Sequence, residues 1–340
     1  MKSLLRLLLK TQHQQNRYRQ AQTEKGMTLV ELLVGSIMAF LIITPMLAFV
    51  VDMLNTDRKE QVKANTEQDI QAAVDFISQD LSQAIYIYDQ KGINAVNNST
   101  IPTSGKLPAP ANGTPILVFW KRQQIKNSVP INPTVTAKPN TCDATQCNDT
   151  YVLALVAYYQ LKDNDSTWCQ PSGGPCPTRI ARYEIRDGVK NPSTLAYYTD
   201  AETTTGQRKD PAFNSLFDLS KPTENVTVVG QEAKTPEVLV NYIDHSTANV
   251  PVPPDCKTTL GVTDLPAPAP ALTQGDLLTA DGSTNSFYAC VDTAKNIARV
   301  TIRGNSLRRL QTNDADFKTT SSAFFPTATI QVKGLGARGK

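Results

Sequence analysis

Histidine is almost missing from this chain. There are two in 340 residues, and only His245 lies beyond the apolar run near the N-terminus. Asp244 and Ser246 flank it, but neighbours along a strand point to opposite faces, so adjacency alone builds no triad. A G-x-S-x-G elbow, an H-E-x-x-H helix and a phosphate-binding P-loop are also lacking, which removes the commonest hydrolase, zincin and nucleotide-binding chemistries. The stretch Asp163-Asn164-Asp165-Ser166-Thr167 begins like a calcium loop, yet Trp168 stands at the sixth place and Gly174 at the twelfth, where such a loop needs Gly and Glu. The acidic stretch from Asp276 to Asn285 is read, like it, as a solvated turn. These absences assign no catalytic residue, no metal and no cofactor.

Charge is lacking in one place above all. From Leu32 to Val51 there are 20 residues without a single charged side chain. At 1.5 Å per helical residue this run spans about 30 Å, the thickness of a bilayer's hydrocarbon core. One acid, Glu31, stands at its edge. A carboxylate costs about 2.5–3.5 kcal/mol at the centre of such a span and less near an end, so Glu31 calls for a partner. The net charge of +3 is uneven: residues 1–26 carry six bases and one acid, +5 in all, so residues 27–340 carry the difference, −2. The basicity thus lies in the first 26 residues, and a nucleic-acid partner loses its main argument. The same asymmetry leaves Lys25 on the cytoplasmic side and sends the residues after Val51 across the membrane.

A secretory signal peptide would end a 7–15-residue apolar core at a small-residue cleavage site. Here the run is longer and leads into Phe49-Val50-Val51-Asp52 with no A-x-A pattern. A plain signal anchor fits the length but leaves Gly26 and Glu31 unexplained. The stretch Lys25-Gly26-Met27-Thr28-Leu29-Val30-Glu31 and the apolar run after it resemble the N-terminus of type IV prepilins and pseudopilins. The resemblance implies that residues 1–26 are a leader, cut between Gly26 and Met27 by a prepilin peptidase that methylates the new amine. It also implies that Glu31 pairs with the amine of a neighbouring subunit during assembly. Met27 departs from the pattern, since the family mostly has Phe there.

Beyond the apolar run, Val62, Ile70, Ala73, Val74, Ile77, Leu81, Ala84, Ile85 and Tyr88 recur at three- and four-residue steps. This is an amphipathic helix with one apolar stripe. Lys59, Glu60, Lys63, Glu67, Asp69, Asp75 and Asp80 fall between them as the polar face. The expected helix therefore has an assembly half, residues 27–51, and an amphipathic half, residues 52–91, closed by Lys91-Gly92. Gly35 and Pro45 are its weak points; Pro45 removes a backbone donor and crowds the preceding turn. Pilin relatives often carry a mid-helix Pro, here a few residues earlier than its commonest place.

Residues 92–340 form the expected head. Residues 92–114 read as a loop. Strands are expected at Pro115–Lys121, Tyr151–Leu161, Thr178–Ile185 (with Ile180, Tyr183 and Ile185 buried), Val226–Val229, Val238–Ile243, Phe287–Val291, Ala298–Arg303 and Ala328–Val332. Gln123–Thr150 reads as a long insertion, and Pro251–Pro270 as an extended, Pro-rich excursion. Trp120, Tyr158 and Tyr159 could offer sugar-stacking faces but fit the core better. Arg303, Arg308 and Arg309 read as a solvated strand edge rather than a binding cluster. Antiparallel strands packed on the amphipathic stripe make an α+β fold, and the resemblance makes it pilin-like.

Six cysteines, Cys142, Cys147, Cys169, Cys176, Cys256 and Cys290, fall on the exported side. An even count there reads as three disulfides among fifteen connectivities. Sequence proximity favours Cys142–Cys147, Cys169–Cys176 and Cys256–Cys290. Zinc fits poorly, because C-x4-C and C-x6-C miss the usual ligand spacing of two to four residues.

Ala298-Arg299-Val300-Thr301-Ile302-Arg303-Gly304-Asn305-Ser306-Leu307, followed by Phe324-Phe325-Pro326-Thr327-Ala328, is similar to the minor pseudopilins of cyanobacterial hormogonium polysaccharide secretion, the C-component type in particular. The resemblance implies a non-enzymatic, single-pass inner-membrane protein that initiates or caps a type IV pilus-like filament in polysaccharide secretion and gliding motility. Its N-terminus would be cytoplasmic and its head periplasmic or on the cell-surface filament. The partners implied are the prepilin peptidase, other major and minor pseudopilins, the inner-membrane assembly platform, membrane lipid and the exported polysaccharide. The alternatives are a minor pilin acting as a tip adhesin and a signal-anchored periplasmic enzyme or binding domain.

Overall fold

The computed structural model describes residues 27–97, 107, 110, 112–132, 135–213, 236–263 and 271–336. The leader with its Gly26 and the expected strand at Val226–Val229 lie outside the described residues. The chain divides into two compact units, Met1–Arg58 and Lys59–Lys340.

The first long element is helix α1, Leu29–Ser82, 54 residues. Among the described residues it is the one helix long and apolar enough to span a membrane. Gly35 and Pro45 both lie inside it, and the helix continues through them. From Leu29 to Leu54 its large apolar side chains are exposed on every side. Its buried residues are Thr66, Ile70, Ala73, Val74, Ile77, Asp80 and Leu81, spaced as one helical face.

The helix ends at Ser82, not at Lys91-Gly92 as its periodicity suggests. Ala84–Ile87 is a strand, β1, paired antiparallel with β2 through Tyr86↔Trp120 and Ile87↔Phe119. The sequence Ala-Ile-Tyr-Ile is β-branched and aromatic, so strand pairing displaces the helical continuation. A second helix, α2, covers Gln90–Asn97 and contains Gly92. Asp89 caps its start by accepting a hydrogen bond from Gly92 N at 2.7 Å.

Among the described residues, two antiparallel sheets build the second unit. The first has the order β1-β2-β3-β4-β5, with β2 Gly113–Pro130, β3 Cys147–Leu161, β4 Thr178–Arg186 and β5 Glu237–Ile243. The second has the order β6-β7-β8-β9, with β6 Leu278–Ala280, β7 Phe287–Asp292, β8 Ile297–Arg303 and β9 Thr327–Lys333. Both ends of the expected insertion at Gln123–Thr150 are strand, because β2 and β3 stay paired out to Pro130↔Cys147, past a register shift between Ile125 and Val129. Among the described residues, three further short α-helices, α3 Cys256–Leu260, α4 Gln274–Leu277 and α5 Leu307–Leu310, belong to this unit, with 3-10 turns at Asp200–Glu202 and Thr319–Phe324. Helix α3 interrupts the Pro-rich excursion expected to be extended, capped by Asp255, whose carboxylate accepts from Thr258 N.

The main core joins Ile70, Val74, Ile77 and Leu81 of α1 to Phe119, Val156 and Tyr158 of the first sheet and to Phe287, Val300 and Ile302 of the second. A separate cluster covers the first sheet's other face, where Trp120, Leu155, Ala157, Tyr159, Tyr183 and Ile185 meet Tyr88, Ile93 and Phe213. Burial on both faces explains why β3 is a nearly unbroken apolar run rather than an alternating one. Trp120, Tyr158 and Tyr159 are therefore core residues, with no face for a ligand. The disulfides join Cys142 to Cys147, Cys169 to Cys176 and Cys256 to Cys290.

Candidate functional site

At the N-terminal end of α1, Glu31 has partners within its own turn. Its Oε2 accepts hydrogen bonds from Thr28 N at 2.9 Å and Thr28 Oγ1 at 3.0 Å, while Glu31 N donates to Thr28 Oγ1 at 3.3 Å. This is a reciprocal capping box, in which Thr28 and Glu31 satisfy backbone donors that the helix start leaves open. The signal was in the sequence, since Thr28-Leu29-Val30-Glu31 is a T-x-x-E ahead of an apolar run. Among the described residues, Glu31 Oε1 has no partner. Met27 stands exposed just ahead of the helix.

In the second unit, Asp80 is the acid that sequence reasoning misplaced. It reads as polar face but is buried in the last turn of α1. Its Oδ1 accepts from Lys121 Nζ at 2.8 Å, and its Oδ2 from Tyr158 Oη at 2.7 Å and Arg182 Nε at 2.8 Å. Burial alone would raise its pKa, but the adjacent Arg182 and Lys121 charges more than reverse this and hold the carboxyl below its ordinary value.

Asp244, His245 and Ser246 are close together without forming a triad. Ser246 Oγ donates to Asp244 Oδ1 at 2.6 Å and accepts from Phe317 N at 2.7 Å. Asp244 Oδ2 accepts from Arg303 Nε at 2.9 Å. The hydroxyl is thus occupied by carboxylate and backbone, with no imidazole as its base. The His245 side chain is mostly covered, which lowers its pKa, and its Nε2 lies 3.3 Å from Asp316 Oδ1.

Two of the three arginines expected at a solvated edge, Arg303 and Arg308, are buried, while Arg309 stays partly exposed. Arg303 pairs with Asp244. Arg308 is fully buried and donates to the carbonyls of Pro175 at 2.6 Å, Pro171 at 2.8 Å and Gly173 at 2.9 Å. It is the clamp of the Cys169–Cys176 loop. Arg309 pairs with Asp69 and lies over the Tyr242 ring. The carboxylates weighed as calcium ligands are engaged too: Asp163 by Arg179, Asp276 by Lys91 and Asp281 by Lys162. Among the described residues no three His, Cys, Asp or Glu side chains gather as a metal site.

No protein-family model matches the chain, and neither a curated protein nor a solved structure matches it. The class defined by the geometry of the described residues is an α+β protein with one long apolar N-terminal helix, two antiparallel sheets and three disulfides.

Proposed function

We propose that this chain is a membrane-anchored minor pseudopilin that joins a type IV pilus-like filament through α1 and initiates or caps it. The observation that carries the reading is the change of character along one helix. Its N-terminal part is apolar and exposed all round, while Thr66 to Leu81 present a single buried stripe to a disulfide-bonded α+β head. Such a helix suits lipid and other apolar helices at one end and its own head at the other.

In this reading a prepilin peptidase cuts after Gly26 and methylates Met27. The basic leader stays cytoplasmic, and the head lies in the periplasm or on the filament. Glu31 keeps Thr28 on Oε2 and offers Oε1 to the amine of a neighbouring subunit. Pairing offsets the cost of holding both charges in an apolar surrounding, and removing either one would strand the other. The partners are other pseudopilins, the inner-membrane assembly platform and lipid, and the process served is polysaccharide secretion with gliding.

The test is the N-terminal mass of the protein purified from its own cells. A chain beginning at Met27 with one added methyl group supports the reading; an intact Met1 terminus sinks it. A Glu31→Val variant should be exported and cleaved yet enter filaments poorly.

A further inference from the structure

The segment after β2 and the segment after β4 wall a pocket of about 340 Å³, at the small end of ligand-site sizes. Thr136, Lys138, Asn191, Ser193 and Tyr198 are among its lining residues. Its walls are fixed by bonds between distant parts of the chain. Asn140 Nδ2 donates to Ala201 O at 2.8 Å, Asn140 N to Glu202 O at 3.1 Å, and Gln207 Nε2 to Pro139 O at 2.8 Å. The Cys142–Cys147 disulfide closes the first wall, and Tyr198 N donates to Val189 O in the second. The pocket is thus formed before any ligand arrives, which spares the ligand the cost of ordering it.

Its chemistry is neutral and hydroxyl-rich. Among the described residues, Lys138 is the one cation lining it, and its Nζ is paired with Glu202 Oε1 at 2.9 Å. Lys138 and Thr199 together hold the Glu202 carboxyl down to about 2, so the pair stays ionised and mutually neutralised. Asn191 uses Oδ1 on its own turn, accepting from Ser193 N at 2.9 Å and Thr194 N at 3.3 Å. Among the described residues, the Asn191 amide NH2 and the hydroxyls of Thr136, Ser193 and Tyr198 have no protein partner. Hydroxyls both donate and accept. The half-buried Tyr198 ring packs against Ile125, Val152 and Val189 and has Lys138 Nζ 5.7 Å from its centroid, and its exposed remainder adds an apolar surface.

We propose that this pocket binds a neutral saccharide, with Tyr198 as the ring face and Asn191, Thr136 and Ser193 as hydrogen-bonding partners. A bound anion would find Lys138 already neutralised, and a metal ion would find one carboxylate, itself engaged. A wholly apolar ligand would strand four polar groups. Ring stacking together with several two-way hydrogen-bonding groups matches a polyhydroxylated ring. The proposal stands independently of filament assembly.

The full chain in detergent micelles would be titrated with maltotriose, cellotriose, mannotriose and, as the acidic probe, trigalacturonate, using calorimetry and ligand-observed NMR. At least one neutral trisaccharide should bind. Tyr198→Ala should weaken that binding at least about tenfold, as truncating an aromatic anchor does, with a lowered unfolding temperature as well, because the ring also packs on Ile125, Val152 and Val189. Asn191→Asp keeps the turn acceptor but removes the NH2 donor, and should also weaken binding should Tyr198→Ala fail to fold. Glu202→Gln retains a capping side chain while freeing the Lys138 charge, so trigalacturonate should gain affinity. Absence of binding by every neutral probe up to about 10 mM, beyond the millimolar affinity range, would overturn the proposal. So would preference for trigalacturonate in the unmodified chain, or neutral binding undiminished in both Tyr198→Ala and Asn191→Asp.

Discussion

Asp80 in the last turn of α1 accepts a hydrogen bond from Arg182 of β4, Nε to Oδ2 at 2.8 Å. The bond ties the helix to β4 of the first sheet, and Lys121 of β2 and Tyr158 of β3 complete the carboxylate's shell. Taking the acid away leaves Lys121 and Arg182 with one remaining carboxylate, Glu184, and the buried Tyr158 hydroxyl without its acceptor. Asp80→Ala should therefore destabilise the protein by about 3 kcal/mol, the low end for a broken buried pair, because Arg182 keeps some contact with water. Urea unfolding of the two proteins measures it.

The same carboxylate predicts a pH dependence. Its folded pKa lies below the ordinary value of 3.8, so the unfolded chain takes up a proton first on acidification. The contribution of Asp80 is in place above pH 3.8 and is lost as the pH falls through the lower folded value. In Asp80→Asn this component of acid destabilisation should vanish, leaving a shallower decline between neutral pH and the acid limit. An Asn variant whose stability falls as steeply as the parent's would show that other carboxylates dominate.

Gly304 follows β8 where α1 crosses it. A Cβ there would come within 2.2 Å of Ile70 Cδ1 and 2.9 Å of Thr66 Cγ2. Gly304→Ala should cost about 1–3 kcal/mol through overpacking. Shortening the facing side chain with Ile70→Val should recover part of that loss. A double-mutant cycle reads the coupling directly, and strictly additive effects would refute the close approach.

How far the sequence speaks depends on how local the determining interactions are. The apolar run of α1 and the stripe Ile70–Val74–Ile77–Leu81 announce themselves because a helix repeats every 3.6 residues. The end of α1 was hidden, since Ala84–Ile87 becomes a strand only by pairing with residues 119–121, more than thirty positions on. Asp80 and Arg308 were misread for the same reason. A charged residue between apolar ones reads as solvent-facing, and its burial is decided by Tyr158 and Arg182 in one case and by Pro171, Gly173 and Pro175 in the other. The Thr28–Glu31 capping box is local, yet it went unread because Glu31 was assigned to a neighbouring subunit rather than to its own turn.

Arg308 should not tolerate lysine. Its planar guanidinium serves three carbonyls of the Cys169–Cys176 loop at once, a fork that a single ammonium on a flexible stem cannot reproduce. Arg308→Lys should cost about 2 kcal/mol or more and make that loop the first site of limited proteolysis under non-reducing conditions. Mass spectrometry of the early fragments identifies the cut. Unchanged protection of residues 169–176 would mean that the disulfide alone orders the loop.

Glu31 has two roles to separate: closing the helix start with Thr28, and supplying charge to a neighbour. Substitutions can divide them. Glu31→Gln retains a side chain able to complete the capping box but removes the charge. Thr28→Val removes the hydroxyl of the box and keeps the carboxylate. If the charge drives assembly, Glu31→Gln should lower the filament-to-membrane ratio by at least about tenfold, the effect of losing some 1.4 kcal/mol or more of ion pairing. Thr28→Val should then assemble within a few-fold of the parent. If Glu31 serves only its own helix, the ranking inverts, because a Gln cap suffices and a Val cap does not. Immunoblots of sheared filaments against membrane fractions separate these outcomes, with N-terminal mass confirming that both variants are processed alike.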